Sequence, residues 1–231
     1  ALHLSQETLD AVLDDWTTAD IPAKTRGALE LLEAMTLHPG DINPDFVDKI
    51  RSYGLDDLAI QEAANVGFHY NLIDRVADAF DFPVPEGIQK KRLAKMLDFT
   101  GGLLRGSYAE QIWVQGEDGV IRPSEVESGR THLLTISGET TSELRKAVEA
   151  FVVAQWGEDR EQAIDLPVEL KTYLSKLSLH AYKITDEDVD SLRSSGYSDD
   201  MIYEITLVGA VGAALVGLES LFYAMYGSKV E

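Results

Sequence analysis

The sequence predicts an all-α protein built from two related helical halves with a different segment between them. The first observation is that a stretch of 40 residues, Asp41–Phe80, returns later in the chain as Lys183–Phe222. The second is that both copies place apolar residues at helical spacing behind a capping residue. The third is composition, because 231 residues with 45% hydrophobic side chains can bury a sizeable core.

The repeat becomes visible when the chain is shifted by 142 positions, which aligns the two copies without a gap. Twelve of the 40 aligned residues are identical, among them Gly54 with Gly196 and Glu62 with Glu204. Chance rarely gives this without gaps, so the pattern indicates an internal duplication.

Each copy predicts a short helix, a glycine turn and a long helix. In the first copy Asn43 is an N-cap and Pro44 occupies the first helical position, where its missing N–H does no harm. Gly54 then ends the short helix, and Asp56 caps the long one. The second copy has the same order, with a capping box of Thr185 and Asp188, then Gly196 and Ser198.

Further helices are predicted around the two copies. One helix precedes each copy, at Pro22–Leu37 and at Pro167–Leu179, and both open with proline. The stretch "SQETLDAVLDDW" predicts a helix capped by Ser5. "PEGIQKKRLAKMLDFTGGLL" predicts another, with a basic cluster at residues 90–95 that we interpret as a solvated face.

The middle of the chain has a different pattern. "QIWVQGEDGVIRPS" alternates around two glycines and predicts a small hairpin or an ordered loop. Thr140 and Glu143 form a capping-box pattern before an amphipathic helix. We therefore divide the chain into an N-terminal repeat (1–97), a connecting insert with one amphipathic helix (98–164) and a C-terminal repeat (165–231), forming one compact domain.

The longest uncharged apolar run, Ile205–Leu218, has 14 residues. A membrane-spanning helix needs about 20, so the run predicts a buried helix. Its glycines and alanines favour close helix contact, either across a subunit interface or inside one chain.

Charge and cysteine content exclude several classes of function. The net charge of −20 opposes binding to nucleic acid or to anionic lipid. The absence of cysteine excludes disulfides and thiolate chemistry. "ALHLSQETLD" has no secretory pattern, and we expect a cytoplasmic location.

The repeated segments resemble the alkylhydroperoxidase-D-like and carboxymuconolactone-decarboxylase-like superfamily. The resemblance rests on the second copy, "VDSLRSSGYSDDMIYEITLVGAVGAAL", and on the first, where Tyr70-Asn71, Arg75 and Ala77-Asp78-Ala79 match a family phrase. It covers residues 20–85 and 165–226. It implies an all-α fold that assembles into homo-oligomers, so we expect a homodimer or larger assembly.

Peroxidase members of that family work with a Cys-x-x-Cys pair followed by a histidine, and a glutamate helps activation. The resemblance implies that those positions fall near Ala181, Ile184 and Asp188. In the first copy they fall near residues 39, 42 and 46, which are also not cysteine. The thiol mechanism is therefore excluded here.

Four residues are the candidates for acid–base chemistry: Glu62, His69, Glu204 and His180. Glu62 and His69 share one face of the long helix, two turns apart. Glu62 and Glu204 occupy the same place in both copies among apolar neighbours, so we expect partial burial and a raised pKa. Pairing with arginine, or for His180 a role at the end of a helix, are the structural alternatives.

Two functional hypotheses follow. In the first, the chain is a non-redox relative of the family that binds a small molecule or serves structurally, without cofactor or metal. In the second, it is an enzyme of the decarboxylase or lactone-processing type that uses Glu62, His69 and their neighbours. The sequence leaves open whether the protein is an enzyme.

Overall fold

The computed structural model describes residues 5–83, 113–157 and 164–227. Within these ranges it contains nine α-helices, two single-turn 3₁₀ helices and one two-stranded antiparallel hairpin, so the predicted mainly helical class is confirmed. The helices are α1 (Gln6–Asp15), α2 (Ala23–Leu37), α3 (Pro44–Ser52), α4 (Asp57–Ala79), α5 (Ser124–Thr135), α6 (Ser142–Ala154), α7 (Val168–His180), α8 (Asp186–Ser194) and α9 (Asp199–Tyr226). The strands are β1 (Trp113–Gln115) and β2 (Ile121–Pro123), and the predicted helix with the basic cluster lies outside the described residues.

Local capping chemistry sets the helix boundaries as predicted. The side chains of Asn43, Asp56 and Ser198 each accept a backbone N–H from the first turn of the helix that follows. Gly54 and Gly196 follow the short helices with φ of 91° and 96°, a conformation that side chains with a Cβ rarely adopt.

Equivalent elements of the two halves are separated by the same 142 positions as the two copies of the sequence repeat. The 3₁₀ turn Pro39–Asp41 has its counterpart in Ala181–Lys183, and α3 and α4 begin 142 positions before α8 and α9. Each glycine turn is also bracketed by the same ion pairs. Arg51 contacts Asp48 and Asp57 at 2.8 and 2.9 Å, and Arg193 contacts Asp190 and Asp199 at 2.8 Å each.

Two hydrophobic cores are joined by α9. The first core packs α2, α3 and α4 against the C-terminal half of α9, and the second packs α6, α7 and α8 against its N-terminal half. Fully buried members of the first core include Leu31, Ile50, Ile60 and Leu218, and of the second Val148, Leu174, Leu192 and Ile205.

The small residues of α9 make contacts inside the chain, which decides between the two readings of the apolar run. A Cβ on Gly209 would meet Leu177 and Leu174, and one on Gly217 would meet the backbone of Met35. Among the described residues α9 alone is long and apolar enough to span a membrane. Its most apolar window is 72% buried inside the fold, as expected for a core helix.

The middle segment departs from prediction at two points. The hairpin is present, but α5 is a second helix where one was expected. The N-cap of α6 is Thr141, which accepts from the N–H of Leu144, and Thr140 was therefore the wrong choice. Thr140 instead donates its N–H to Glu204 on α9. This long-range hydrogen bond replaces the local capping role that the sequence pattern predicted for Thr140.

Candidate functional site

Two of the predicted site residues lie on the outward side of α4. Glu62 is exposed, and His69 is half-buried, with its Nδ1 2.7 Å from the backbone oxygen of Asn65. Because a carbonyl oxygen only accepts, Nδ1 of neutral His69 carries the proton and Nε2 is left as the acceptor. The imidazole is therefore oriented as a base that faces away from its own helix.

Glu204 has a different environment, although it occupies the equivalent position in the second half. Its two carboxylate oxygens accept from the N–H groups of Glu139 and Thr140 at 2.8 Å each and from the Thr140 hydroxyl. Nη1 of buried Arg145 lies 3.3 Å away. Burial raises the pKa of Glu204, but the bonds from Thr140 and Glu139 and the charge of Arg145 outweigh it and lower the pKa. The expected raised pKa was wrong for Glu204.

His180 is the last residue of α7 and is exposed, with its ring 6.1 Å from that of Tyr182 in an edge-on arrangement. All four predicted residues belong to the described part of the chain, and no hydrogen bond or ion pair joins any two of them. Glu62 and His69 share a helix face, while Glu204 and His180 lie on other helices.

The arginines that were alternative partners for Glu62 have other partners. Arg51 pairs with Asp48 and Asp57, as described above. Arg75 donates to the backbone and side-chain oxygens of Asn71 at 2.9 and 2.8 Å, and to the backbone oxygen of Ser178 at 3.2 Å. It thus connects α4 of the first half with the last turn of α7, where cations are favoured.

The positions that the family resemblance assigns to thiols are filled and packed. Ala181 is buried, and Ile184 packs against the second core. Asp188 accepts both from Nζ of Lys176, at 2.6 and 2.7 Å, and from the backbone N–H of Thr185 at 2.9 Å. Burial raises the pKa of Asp188, but the bonds from Lys176 and Thr185 outweigh this and lower it. The carboxylate therefore stays ionised, and the ammonium group of Lys176 balances its charge.

A dense group of charges lies between the hairpin, α5, α6 and α9. We call it the charged cluster, and its members are Asp118, Arg122, Glu127, Arg130, Glu149 and Glu219. Arg122, with a side chain 4% exposed, contacts Asp118, Glu127 and Glu219 at 2.7, 2.9 and 2.6 Å. Arg130 binds both oxygens of Glu149 at 2.7 Å.

Carboxylates outnumber guanidinium groups by four to two in the charged cluster. Burial raises the pKa of Asp118, but the bond from Arg122 outweighs this and lowers it. For Glu219, on the apolar helix α9, burial raises the pKa and the nearby Arg122 offsets this only in part. Arg122 thus lowers the pKa of both carboxylates, but the net shifts have opposite directions because burial outweighs this effect at Glu219 only.

An open groove of about 480 Å³ runs along the outer side of α5, beside the charged cluster. Glu127 forms part of both, because its carboxylate lines the groove and also binds Arg122. The other lining residues are Val114, Ser124, Ser128, Thr131, His132 and Thr135. Four of the seven lining residues carry a hydroxyl group, so the groove offers hydrogen bonds together with apolar surface to a ligand.

Across residues 5–83, 113–157 and 164–227, no group of three or more His, Asp or Glu side chains is positioned to hold a metal ion. His132 and Glu127 both line the groove, but two such side chains are too few to hold a metal ion.

The charged cluster and the groove were not anticipated from the sequence. A usable indication was present in Glu219, the carboxylate that directly follows the apolar run Ile205–Leu218, because such a residue is almost never fully buried unless paired. The i, i+3 pair Glu127 and Arg130 was a second indication, although such pairs are more often solvated.

Protein-family models, curated proteins and solved structures were all compared with this chain, and none matches. The family resemblance therefore rests on the motif residues around Asn71 and Arg75 and on the repeat. Any function must be argued from the geometry of this chain.

The stability of Glu219→Gln relative to wild type is expected to rise by about 1 kcal/mol or less as pH increases from about 4, near the unfolded-state pKa of glutamate, to about 7. A folded-state pKa above the unfolded one means that ionisation of Glu219 costs stability as pH rises through that value. The amide does not ionise and still accepts from Arg122. Urea unfolding at both pH values measures the difference, with Glu125→Gln on the exposed side of α5 as control. A relative loss on raising the pH would contradict the expectation.

Proposed function

We propose that the chain is a duplicated, non-redox member of the alkylhydroperoxidase-D-like superfamily that binds a small molecule without thiol chemistry. The observation that carries this proposal is the matched spacing of the two halves, combined with the filled thiol positions Ala181 and Ile184. In this proposal the helices of such a fold are retained, while packed side chains occupy the positions of the reactive groups.

Duplication within one chain is supported by details that a chance resemblance would not repeat. Both halves carry the same 3₁₀ turn, the same left-handed glycine and the same pair of ion pairs on one arginine. The long helix of each half also reaches the other half: Arg75 contacts the end of α7, and Gly217 contacts the end of α2. In this proposal the two halves form an internal pseudo-dimer.

The groove along α5 is the ligand site that we propose. It is open to solvent and is lined by hydroxyls, an imidazole and the Glu127 carboxylate, whose position is fixed by Arg122. Fixed acceptors beside adaptable hydroxyls suit a small polar molecule. The groove lies in the insert rather than in either repeat, so it would be specific to this chain.

Filling the groove tests the proposal. Native mass spectrometry of the purified protein is expected to detect a bound small molecule that Ser128→Trp loses and Glu125→Trp retains. Both residues are exposed on α5, but only Ser128 lines the groove. If wild type carries no molecule and no polar metabolite mixture raises its Tm more than that of Ser128→Trp, a purely structural role replaces this proposal.

The second candidate function is acid–base catalysis, and His69 is the observation that favours it. Its Nδ1 is fixed by Asn65, and its Nε2 has no partner among the described residues. Lactone hydrolysis assays with His69→Asn are expected to show a loss of about 10²-fold or more if His69 is the base. His38→Asn, the same substitution at an exposed histidine of the same half, serves as the control. Equal activities of the two variants would exclude this role.

Self-association and a cytoplasmic location remain part of the proposal. Tyr70 and Ile73 on the outward side of α4 are 57% and 56% exposed, which supports this side as the surface for a second copy. Sedimentation analysis of Ile73→Asp tests this assignment, because a charge at the centre of such a surface is expected to dissociate the assembly.

A further inference from the structure

Helix α1 presents an apolar stripe in which Leu9 and Leu13 are exposed and Val12 and Trp16 are half-buried. Leu9, Val12, Leu13 and Trp16 follow i, i+3, i+4 and i+7 spacing, which places them on one side of the helix. No residue of α1 is buried, and Leu9 and Leu13 are 40% and 84% exposed. None of the other described helices or strands packs substantially against α1.

The helix is nevertheless well defined at both ends. The hydroxyl of Ser5 accepts from the N–H of Thr8 at 3.1 Å and caps the first turn. At the other end Arg26 of α2 donates to the backbone oxygens of Trp16 at 3.0 Å, Ala19 at 2.6 Å and Thr17. Arg26 therefore holds the C-terminal end of α1 against the body of the protein and fixes the direction in which it projects.

An isolated helix of ten residues is marginal in water, and within the described part of the protein no residue of α1 is buried, so a partner contact along the stripe would stabilise the helix. Four apolar anchors at this spacing are the pattern by which amphipathic helices insert into a groove of another protein. The stripe is therefore better suited to docking than to a solvated surface.

Charge indicates what kind of groove the stripe fits. The rest of α1 carries Glu7, Asp10, Asp14 and Asp15 and no basic residue. A second copy of this chain, with its own net charge of −20, would bring like charges together around the stripe. A groove edged by lysine or arginine would instead complement it.

We propose that α1 is a docking helix that inserts Leu9, Leu13 and Trp16 into an apolar groove with a basic rim on a partner protein. This interaction is separate from the groove along α5 and does not depend on the function proposed for it. Arg26 presents the helix, the stripe supplies the buried contact, and the acidic side increases the rate of encounter.

A synthetic amphipathic helix of leucine and lysine serves as the probe, because it offers an apolar seam flanked by positive charge. Fluorescence anisotropy of the labelled peptide is measured with the full chain, with Leu13→Asp and with Leu37→Asp. Leu37 is 56% exposed on α2, so both variants remove one exposed leucine and add one negative charge. We expect Leu13→Asp to weaken binding at least 10-fold, Leu37→Asp to leave it unchanged, and added salt to weaken it.

Leu9→Asp is measured as a second variant, with circular dichroism to establish that each variant is folded. Equal binding by wild type and both α1 variants would show general adhesion to an acidic surface and would overturn the proposal, as would no binding by wild type. The last measurement is sedimentation of the protein alone. A dimer that Leu13→Asp dissociates would show that α1 binds a second copy of this chain, and would also overturn the proposal.

Discussion

Replacing Glu204 by glutamine is expected to destabilise the protein by about 2 kcal/mol, less than the cost of breaking a fully buried ion pair, because the Glu204 side chain is 23% exposed. The Arg145 side chain is 2% exposed and would lose its carboxylate. Both oxygens of Glu204 accept from backbone N–H groups, so the new amide NH₂ would face a donor in either orientation. The loop at residues 138–140 would then no longer be held against α9.

Glu62→Gln is the matched control, because it is the same substitution at the equivalent position of the first half. Glu62 is exposed, so the expected change lies within about 0.5 kcal/mol. Urea unfolding measures both variants, and a double-mutant cycle with Arg145→Met isolates the ion-pair contribution. Equal losses at the two positions would show that Glu204 does not hold the loop.

The effect of Glu204→Gln should also depend on pH in a defined direction. The pKa of Glu204 is lowered in the folded state, so its stabilisation is present above the unfolded pKa and disappears as pH falls through the folded value. The difference between wild type and variant is therefore expected to shrink below about pH 4, where the unfolded-state carboxyl also becomes protonated. A difference that stays constant down to acid pH would point to geometry rather than charge.

The contrast between Glu62 and Glu204 shows what the sequence could not predict. The repeat places both residues at the same position of the same helix, and local reasoning therefore treats them alike. Their environments differ because the insert supplies Thr140 and Arg145 to the second half only. A contact between residues 59 to 64 positions apart leaves no periodic trace in either segment.

Helix boundaries were predictable because their causes are local. Asn43, Asp56 and Ser198 cap helices whose first turns follow directly, and Gly54 and Gly196 end helices within a few residues. Helix α5 was missed for the opposite reason. Its inward side mixes the charged residues Glu127 and Arg130 with buried Leu134, which blurs the apolar pattern. The two charged side chains are accommodated there because Arg122 and Glu149 meet them from other elements.

The groove could not be predicted for the same reason, because it depends on how α5 lies beside β1. Ser124, Ser128 and Thr131 read as ordinary surface residues until the hairpin brings Val114 next to them. The four residues predicted as a site, Glu62, His69, His180 and Glu204, are distributed over three helices. Equivalent positions in the repeat did not bring Glu62 and Glu204 together. Position within a repeat predicts backbone geometry, whereas chemistry depends on neighbours from elsewhere.

Replacing Gly217 by alanine is expected to destabilise the protein by about 2–3 kcal/mol, as overpacking of a well-packed core does. A Cβ at this position would overlap the backbone oxygen of Met35 and lie 3.0 Å from its carbonyl carbon and Cα. Met35 belongs to the last turns of α2 and is buried, so its backbone cannot move aside without shifting the helix. The gain of about 1 kcal/mol from the better helix propensity of alanine is too small to compensate.

Gly212→Ala provides the control on the same helix, because its Cβ would meet Glu149 Cγ at 3.4 Å, an ordinary contact. This variant is expected to be neutral or stabilised by up to about 1 kcal/mol. Thermal unfolding of the two variants therefore separates close approach of α2 and α9 from helix propensity. Gly217 aligns with Arg75 in the repeat, and each lies where a long helix passes the end of a helix from the other half. If Gly217→Ala were as stable as Gly212→Ala, the two halves would have to be joined loosely enough at this crossing to separate by the width of a methyl group.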